Sequence, residues 1–149
     1  MKVIYRTPTV MSLGGREGTV RSADGCLDLE VAYPIEMGGP GGKTNPEELF
    51  AAGYAACFHS AIKRTAGDKK IAIGKSIVEA HVSAGQMEES VGFRLAVELH
   101  VILPAAEIEQ AKEVVRGAHL ICPYSNATRN NIDVILSVAP VDHQTYYVT

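Results

Sequence analysis

The sequence predicts an α+β fold in which two helices pack on a mainly antiparallel sheet. Residues 91–103 alternate between apolar and other side chains without interruption, which is typical of a half-buried strand. Residues 46–62 and residues 104–122 repeat their apolar positions every three or four residues, as helices do. The elements follow the order βββ–α–ββ–α–β without a linker or repeat, so a single domain over residues 1–149 is predicted.

The N-terminal part of the chain predicts the first strands of the sheet. Residues 3–13 have β-type composition and precede a glycine-rich turn at residues 14–18. Residues 26–31 alternate in polarity, and the Asp24–Gly25 pair before them is typical of a hairpin turn. The next segment, residues 33–46, is dense in Gly and Pro and predicts a loop.

The first helix is predicted to begin near Pro46. Thr44 or Asn45 can cap it, and the acidic Glu47 and Glu48 favour the positive end of the helix dipole. The opposite side from the apolar stripe carries small residues rather than charges, so we expect a helix buried on all sides. The apolar stripe consists of Phe50, Tyr54, Cys57, Phe58, Ala61 and Ile62.

The second half of the chain predicts a hairpin, a helix and a last strand. The hairpin covers residues 75–103, and Pro104 ends its second arm and opens the second helix. The apolar stripe of that helix ends at Cys122, because Pro123 stops the helix directly after it. Residues 132–138 predict the last strand.

Composition argues against several classes of partner. A net charge of −3 gives no electrostatic reason to expect nucleic acid or an anionic membrane. The longest apolar run, LFAAGYAACF, is too short to span a bilayer, and the N-terminus lacks a signal-peptide core. Three cysteines without a secretion signal favour a reducing compartment, so we expect a cytoplasmic protein.

The glycine-rich loop and the His/Cys residues raise two further interpretations, a phosphate site and a metal site. The loop GGPGGKT has its first glycine one residue too close to Gly42 and Lys43 for a P-loop, so we expect a flexible connector there. Four side chains, Cys57, His59, His119 and Cys122, have the ligand types of a tetrahedral zinc site. Because helical residues two apart point about 200° from each other, the first two cannot easily share a metal. A non-enzymatic zinc or small-ligand binding protein stays an alternative.

Thiol chemistry is the third interpretation of the residues. Cys57 and Cys122 both lie on apolar helical stripes that face a common core. Such a pair could close into a disulfide if the Cα atoms come within about 7 Å. Two inert core thiols are an equally open interpretation at this point.

Two segments and one loop resemble a known family. TNPEELFAAGYAACF at residues 44–58, CPYSNATRNNIDV at residues 122–134 and GGREG at residues 14–18 resemble the organic hydroperoxide resistance proteins (Ohr) of the OsmC/Ohr family. The resemblance implies antiparallel sheets wrapped around two central helices in an intertwined homodimer. It implies a thiol peroxidase that reduces organic hydroperoxides, including fatty acid hydroperoxides, to alcohols. A dithiol, typically dihydrolipoamide on a lipoylated protein, would recycle it, without a metal or another cofactor.

The resemblance also assigns residues to roles. Cys57 matches the peroxide-attacking cysteine and Cys122 the resolving cysteine, which together would form a disulfide. Arg16 matches the catalytic arginine, and Glu47 matches the glutamate that orients it. Cys26 and the tail PVDHQTYYVT depart from the pattern, and an OsmC-branch peroxidase with a broader substrate range is the nearest alternative. The apolar surroundings expected to receive a carbon chain are Phe50, Tyr54 and Phe58.

The chemistry explains why an arginine is needed. Peroxide cleavage requires a thiolate, and burial in an apolar helix raises the pKa of a thiol such as Cys57. Arg16 could stabilise both the thiolate and the developing charge on the peroxide oxygen, with Glu47 offsetting the desolvation of its guanidinium. Glu47 lies about 15 Å from Cys57 along an ideal helix, so we expect a bend near Gly53 or a contribution from the partner subunit.

Overall fold

The structure is a computed structural model that describes residues 1–88, 91–140 and 144–148. Among these residues, seven strands and three α-helices form an α+β fold, which confirms the predicted fold class. The chain divides into two compact units, residues 1–49 and residues 50–149. A single domain over residues 1–149 stays a prediction.

The unit of residues 1–49 contains a three-stranded antiparallel sheet. The Asp24–Gly25 turn connects its second and third strands as predicted, and Gly25 has a φ of 72°. The predicted strand over residues 3–13 is wrong over residues 3–9. The second strand ends at Ser22, where this turn begins, so strand pairing stops at Val10, and the carbonyl of Thr9 accepts one further hydrogen bond of 2.9 Å from the N–H of Ala23. The strands are β1 (Val10–Leu13), β2 (Thr19–Ser22) and β3 (Asp28–Glu30), in the order β1-β2-β3.

The first helix, α1 (Pro46–Lys69), begins as predicted and extends further along the chain than predicted. Of the two candidate caps, Asn45 is the residue that satisfies the helix backbone, because its Oδ1 accepts a 2.8 Å hydrogen bond from the N–H of Glu48. The hydroxyl of Thr44 instead donates to the carboxylate of Glu48 at 2.8 Å. The two acidic residues of the first turn lie where the dipole favours them.

The prediction that α1 is buried on all sides is wrong for the single chain. Its apolar stripe is buried at Tyr54 and Phe58, but Ala52, Ala56 and Ser60 on the small-residue side are exposed. Small side chains carry little apolar surface, so their exposure costs little free energy. The absence of charge on a helix face was therefore insufficient evidence of burial.

The unit of residues 50–149 contains a four-stranded sheet covered by helices. The predicted hairpin is confirmed, with β4 and β5 paired from Ile77–Ile102 to Gln86–Phe93, although residues 89–90 lie outside the described residues. The helices between β5 and β6 return the chain to the starting end of the sheet, so these two strands are parallel. The sheet has the order β4-β5-β6-β7, and its strands are β4 (Ile77–Gln86), β5 (Phe93–Ile102), β6 (Val134–Ala139) and β7 (Tyr146–Tyr147).

The second helix begins later than predicted. Pro104 opens a turn, closed by a 3.1 Å hydrogen bond from the N–H of Ala106 to the carbonyl of Leu103, and α2 spans Ile108–Ile121. A short helix that the sequence analysis did not predict, α3 (Pro123–Thr128), follows directly. Cys122 separates the two helices, with extended backbone at φ −66° and ψ 124°.

The core lies between these helices and one face of the sheet. The alternation along β5 is confirmed, because Val97, Leu99 and Val101 are fully buried or nearly so. Val91 and Phe93, at the start of the same alternating run, are exposed. The first part of the run thus belongs to the end of the hairpin rather than to the core.

Candidate active site

The structure brings the thiols of Cys57 and Cys122 together. Their Sγ atoms lie 3.7 Å apart, and both cysteines are free. This separation exceeds the S–S bond length of about 2.05 Å, but only a modest movement is needed to close it. Cys122 is fully buried, whereas Cys57 is partly exposed, so Cys57 is the thiol that a reagent can reach first.

The electrostatic surroundings of Cys57 include opposing effects. Burial raises the pKa of its thiol, and the neighbouring thiol of Cys122 raises it further. The backbone N–H of Tyr124, which donates a hydrogen bond to the Cys57 sulfur, lowers the pKa. Tyr124 is the second residue of α3, where backbone N–H groups have no acceptor within the helix.

Sequence reasoning missed this contribution from Tyr124. The signal for it was present in the Cys-Pro-Tyr run, because proline is favoured at the first position of a helix. Pro123 was interpreted only as the end of the helix before it. A helix start at Pro123 would have predicted free N–H groups directly after Cys122.

Aromatic side chains pack beside the thiol pair. The ring of Tyr54 stacks on that of Tyr124 at 5.4 Å, and Phe50 meets Tyr124 edge-on at 5.8 Å. The Tyr54 hydroxyl lies 3.0 Å from Ser125 Oγ and 3.2 Å from Thr128 Oγ1. These contacts fix α3 on α1, and with it the Tyr124 N–H that reaches Cys57.

The predicted substrate-pocket residues differ in their positions. Phe50 lines a largely apolar cavity of about 720 Å³ together with Pro123 and Tyr124. Tyr54 and Phe58 are fully buried in the core and do not line this cavity, and their role in a substrate pocket stays a prediction. Their aromatic rings fill the space between α1 and its neighbours. The spacing of apolar residues in the sequence does not distinguish such a core residue from one that lines a pocket.

Gly53 allows this packing. A Cβ atom at this position would lie 2.5 Å from the hydroxyl oxygen of Tyr124, which is too close for any side chain. A bend near Gly53 was one of the two alternatives expected from the sequence. The structure shows a continuous helix from Pro46 to Lys69, in which Gly53 provides the space that Tyr124 occupies.

Arg16 and Glu47 form a bidentate ion pair within residues 1–49. Nη1 of Arg16 lies 2.8 Å from Oε2 of Glu47, and Nη2 lies 2.5 Å from Oε1. The hydrogen bond from Arg16 lowers the pKa of the Glu47 carboxyl, and the same bond raises the pKa of Arg16. The guanidinium also lies 5.6 Å from the centre of the Tyr33 ring.

The loop that carries Arg16 has the backbone that its glycines permit. Gly14 and Gly15 have positive φ values of 84° and 61°, and residues Gly15–Glu17 form a 3₁₀ turn. Arg16 is thereby presented from a tight connection between β1 and β2 rather than from a regular strand.

His59 and His119, the two histidines considered as zinc ligands, have different surroundings. His59 Nε2 lies 2.9 Å from Ser76 Oγ. Nδ1 of His119 is buried without a hydrogen-bond partner among the described residues. Within residues 1–88, 91–140 and 144–148, no group of three or more His, Cys, Asp or Glu side chains is arranged to hold a metal ion.

Cys26 is a free and exposed cysteine that directly follows the Asp24–Gly25 turn. Its backbone N–H donates to Asp24 Oδ1 at 3.1 Å. In the part of the chain that the structure describes, no helix has the length and apolar character to cross a membrane.

Comparison with known proteins identifies the family. The family model described as OsmC-like protein matches residues 39–137. The organic hydroperoxide resistance protein of Xanthomonas axonopodis pv. citri is 46% identical over 140 residues, which cover 93% of this chain and 96% of that protein. The protein OhrA of Bacillus subtilis, also named an organic hydroperoxide resistance protein, is 45% identical over 138 residues, 89% of this chain and 95% of that protein.

Solved structures give the same result. The crystal structure of an organic hydroperoxide resistance protein from Elizabethkingia anophelis is similar with a TM-score of 0.87 and 47% identity. The similarity covers 93% of this chain and 98% of that chain. The OhrB structure from Bacillus subtilis has a TM-score of 0.82 at 41% identity, over 91% of this chain and 99% of that chain. Its motifs, its fold and these relatives show that the chain belongs to the OsmC/Ohr family.

Proposed function

We propose that this protein is a cysteine-based peroxidase that reduces organic hydroperoxides to alcohols. Its family membership and the names of its relatives support a role in organic hydroperoxide resistance. The observation that carries the enzymatic proposal is the 3.7 Å approach of the Cys57 and Cys122 sulfur atoms. Two thiols at that distance can supply the two electrons that reduce a peroxide by closing into a disulfide.

The proposed cycle begins at Cys57. Its thiolate attacks the terminal oxygen of the hydroperoxide, the O–O bond breaks, and the leaving alkoxide takes a proton to become an alcohol. Cys57 is left as a sulfenic acid. The thiol of Cys122 condenses with this group, which forms the Cys57–Cys122 disulfide and releases water.

A dithiol then completes the cycle. One of its thiolates attacks the Cys57–Cys122 disulfide and forms a mixed disulfide with the protein. Its second thiol then attacks this mixed disulfide and displaces the protein cysteine. The protein thiols are restored and the dithiol leaves in its oxidised, cyclic form. Following the family resemblance, we assign this role to dihydrolipoamide on a lipoylated protein and the active assembly to a homodimer.

The proposal gives Arg16 and Glu47 a charge-stabilising role. A buried thiolate and a leaving alkoxide both carry negative charge, which a guanidinium can stabilise. The bidentate pair keeps the Arg16 side chain in one orientation, because two parallel hydrogen bonds fix the guanidinium plane. The assignment of this pair to the Cys57 thiolate rests on the family motif and on that electrostatic demand.

The partial burial of Cys57 supports an apolar substrate. The thiol packs against a core that contains an aromatic cluster, and the residues after Cys122, Pro123 and Tyr124, line an apolar cavity together with Phe50. A carbon chain gains free energy in such surroundings, whereas hydrogen peroxide does not. We therefore expect alkyl hydroperoxides to be reduced faster than hydrogen peroxide, which also separates this proposal from the broader substrate range of the OsmC branch.

Single-turnover and steady-state measurements test the proposal. Cys57→Ser should abolish reduction of tert-butyl hydroperoxide. Cys122→Ser should reduce one equivalent and release one alcohol without sustained turnover, and with excess hydroperoxide each further oxidation of the Cys57 sulfenic acid, detectable by intact mass, should consume one more equivalent. Cys26→Ser is the matched control, because this exposed thiol lies outside the pair, and it should keep full turnover.

Disulfide mapping gives an independent result. After one equivalent of peroxide, we expect the wild-type mass to fall by that of two hydrogen atoms and the linked peptides to contain Cys57 and Cys122. Full turnover by Cys57→Ser, or a disulfide that includes Cys26 instead, would contradict the proposed cycle.

A further inference from the structure

A cavity within residues 50–149 lies between the end of the β4–β5 hairpin and α3. Phe93 and Leu95 contribute from the hairpin, and Ala127 and Ile132 contribute from α3 and the turn after it. Its volume of about 720 Å³ is in the range typical of sites for small organic ligands. The cavity is large enough and apolar enough for a hydrocarbon chain.

The wall of the cavity includes two residues that are connected with the thiol pair. Pro123, which lines it, directly follows Cys122 in the chain. Tyr124, which also lines it, donates its backbone N–H to the sulfur of Cys57. A ligand in the cavity thus lies against the two residues that directly follow Cys122.

Arg94 is the charged residue in the lining of this cavity. Its side chain is exposed, and its guanidinium donates to the backbone carbonyl of Asn131, a second lining residue. A guanidinium has five N–H donors, so this contact orients the group and leaves most of its donors available. Among the described lining residues, Arg94 alone carries a charge, so it forms a cationic end of the cavity.

The charge of Arg94 is not neutralised by the described part of the protein. Glu88 and Asp133 line a neighbouring groove that Arg94 also borders. Neither carboxylate forms an ion pair with it, and none of the ion pairs found among the described residues includes Arg94. An anionic group on a ligand would therefore meet a guanidinium that forms no ion pair with any of the described carboxylates within 4 Å.

We propose that Arg94 binds the carboxylate of an amphiphilic hydroperoxide whose hydrocarbon chain occupies the cavity. This inference rests on the proposed function and adds a specificity-determining residue to it. A guanidinium accepts a carboxylate through two parallel hydrogen bonds, which is a geometry that an ester or a plain alkyl group cannot match. The protein should then favour acid-bearing hydroperoxides over neutral ones of the same length.

Paired substrates test this inference. We would measure kcat/KM for a long-chain hydroperoxide with a terminal carboxylate, for its methyl ester and for tert-butyl hydroperoxide. Arg94→Gln should lower kcat/KM for the acid about tenfold, mainly through KM, because a hydrogen bond to a charged group is lost. The ester and tert-butyl hydroperoxide should be reduced at wild-type rates.

Two further variants serve as controls. Arg94→Lys keeps the charge without the two-pronged geometry, so it should retain part of the preference for the acid. Arg116→Gln removes an exposed arginine of α2 that is not part of the cavity lining, and it should leave all three substrates unchanged. For the wild type, added salt should lower the ratio of acid to ester turnover, because the contact with Arg94 is exposed.

The outcomes separate this inference from the function on which it rests. If wild-type protein turns over none of the three hydroperoxides, the proposed function fails. If it turns over all three, but Arg94→Gln has the same acid-to-ester ratio as wild type, the carboxylate site is refuted and the peroxidase stands. An equal loss for all three substrates in Arg94→Gln would also refute it, since Arg94 would then serve only to hold Asn131.

Discussion

Replacing Gly53 by alanine tests how closely Tyr124 packs on α1. The added Cβ atom would lie 2.5 Å from the hydroxyl oxygen and 3.1 Å from Cζ of Tyr124. The Tyr124 ring cannot simply rotate away, because it is stacked on Tyr54 and meets Phe50 edge-on. The ring must therefore move as a unit, and we expect the backbone of Tyr124 to move with it.

Two opposing effects determine how much Gly53→Ala changes the free energy of unfolding. Overfilling a packed site costs about 1–3 kcal/mol. Alanine in place of glycine in a helix interior contributes about 1 kcal/mol of stability. Gly53→Ala should therefore lower the free energy of unfolding by about 0–2 kcal/mol relative to wild type.

Gly67→Ala is the matched control in the same helix. A Cβ atom at Gly67 would have no other atom within 4 Å, so this variant should gain the helix contribution of about 1 kcal/mol without a steric cost. The difference between the two variants then isolates the steric effect of Tyr124, about 1–3 kcal/mol. Urea unfolding at one fixed protein concentration measures it, since association would make stability depend on concentration.

Thiol reactivity provides a second measurement. Displacing the Tyr124 N–H removes the contact that lowers the pKa of Cys57, so a smaller fraction of the thiol is ionised at a given pH. In a Cys26→Ser background, alkylation of Cys57 should be slower in Gly53→Ala than in Gly67→Ala. Equal stability and equal alkylation rates in the two alanine variants would refute the argument that Tyr124 requires glycine at position 53.

Three further predictions concern the same groups. Glu47→Gln should lower the free energy of unfolding by about 1 kcal/mol at neutral pH, because solvent still screens this partly buried ion pair. Because the pKa of Glu47 is lowered in the folded protein, its contribution is present above the ordinary carboxyl pKa and is lost as pH falls through the lowered value. Unfolding curves of the two proteins should therefore converge in acid, and a constant difference would contradict the ion-pair origin. Tyr54→Phe should cost about 1–2 kcal/mol in urea unfolding, because the buried hydroxyl of Ser125 loses its partner at 3.0 Å, and an unchanged midpoint would count against that hydrogen bond. Cys122→Ala should let Cys57 ionise at lower pH than in wild type, as measured by the pH dependence of its alkylation, because the neighbouring thiol raises its pKa; a shift to higher pH would show that the pair acts in the opposite direction.

The elements that the sequence predicted best have a local and repeated signal. The alternation along β5 and the cap at Asn45 depend on neighbouring residues alone, and both were confirmed. The short elements α3 and β7 were missed, because six residues and two residues contain too little of a repeat to show a period. The first strand was predicted too long because β-type composition does not show where the partner strand ends.

Predicting the candidate active site required information on contacts between residues that are distant in the sequence. Arg16 and Glu47 are 31 positions apart, and Cys57 and Cys122 are 65 positions apart. Spacing along a helix or strand says nothing about contacts over such separations, so the family resemblance was needed to pair them. The same spacing placed Phe50 and Tyr54 on one apolar stripe, but only the packed structure distinguishes the residue at the cavity from the one beneath it.

Pro123 connects the position of one thiol with the chemistry of the other. Because it follows Cys122, it forces that residue into extended backbone and ends α2 with the buried thiol next to Cys57. Because it is also the first residue of α3, it leaves the N–H of Tyr124 free to donate to the Cys57 sulfur. A residue other than proline at this position would allow α2 to continue, and a continuous helix would use the Tyr124 N–H within its own backbone. The proline therefore favours both the approach of the two sulfur atoms and the hydrogen bond that opposes the effect of burial on the pKa of Cys57.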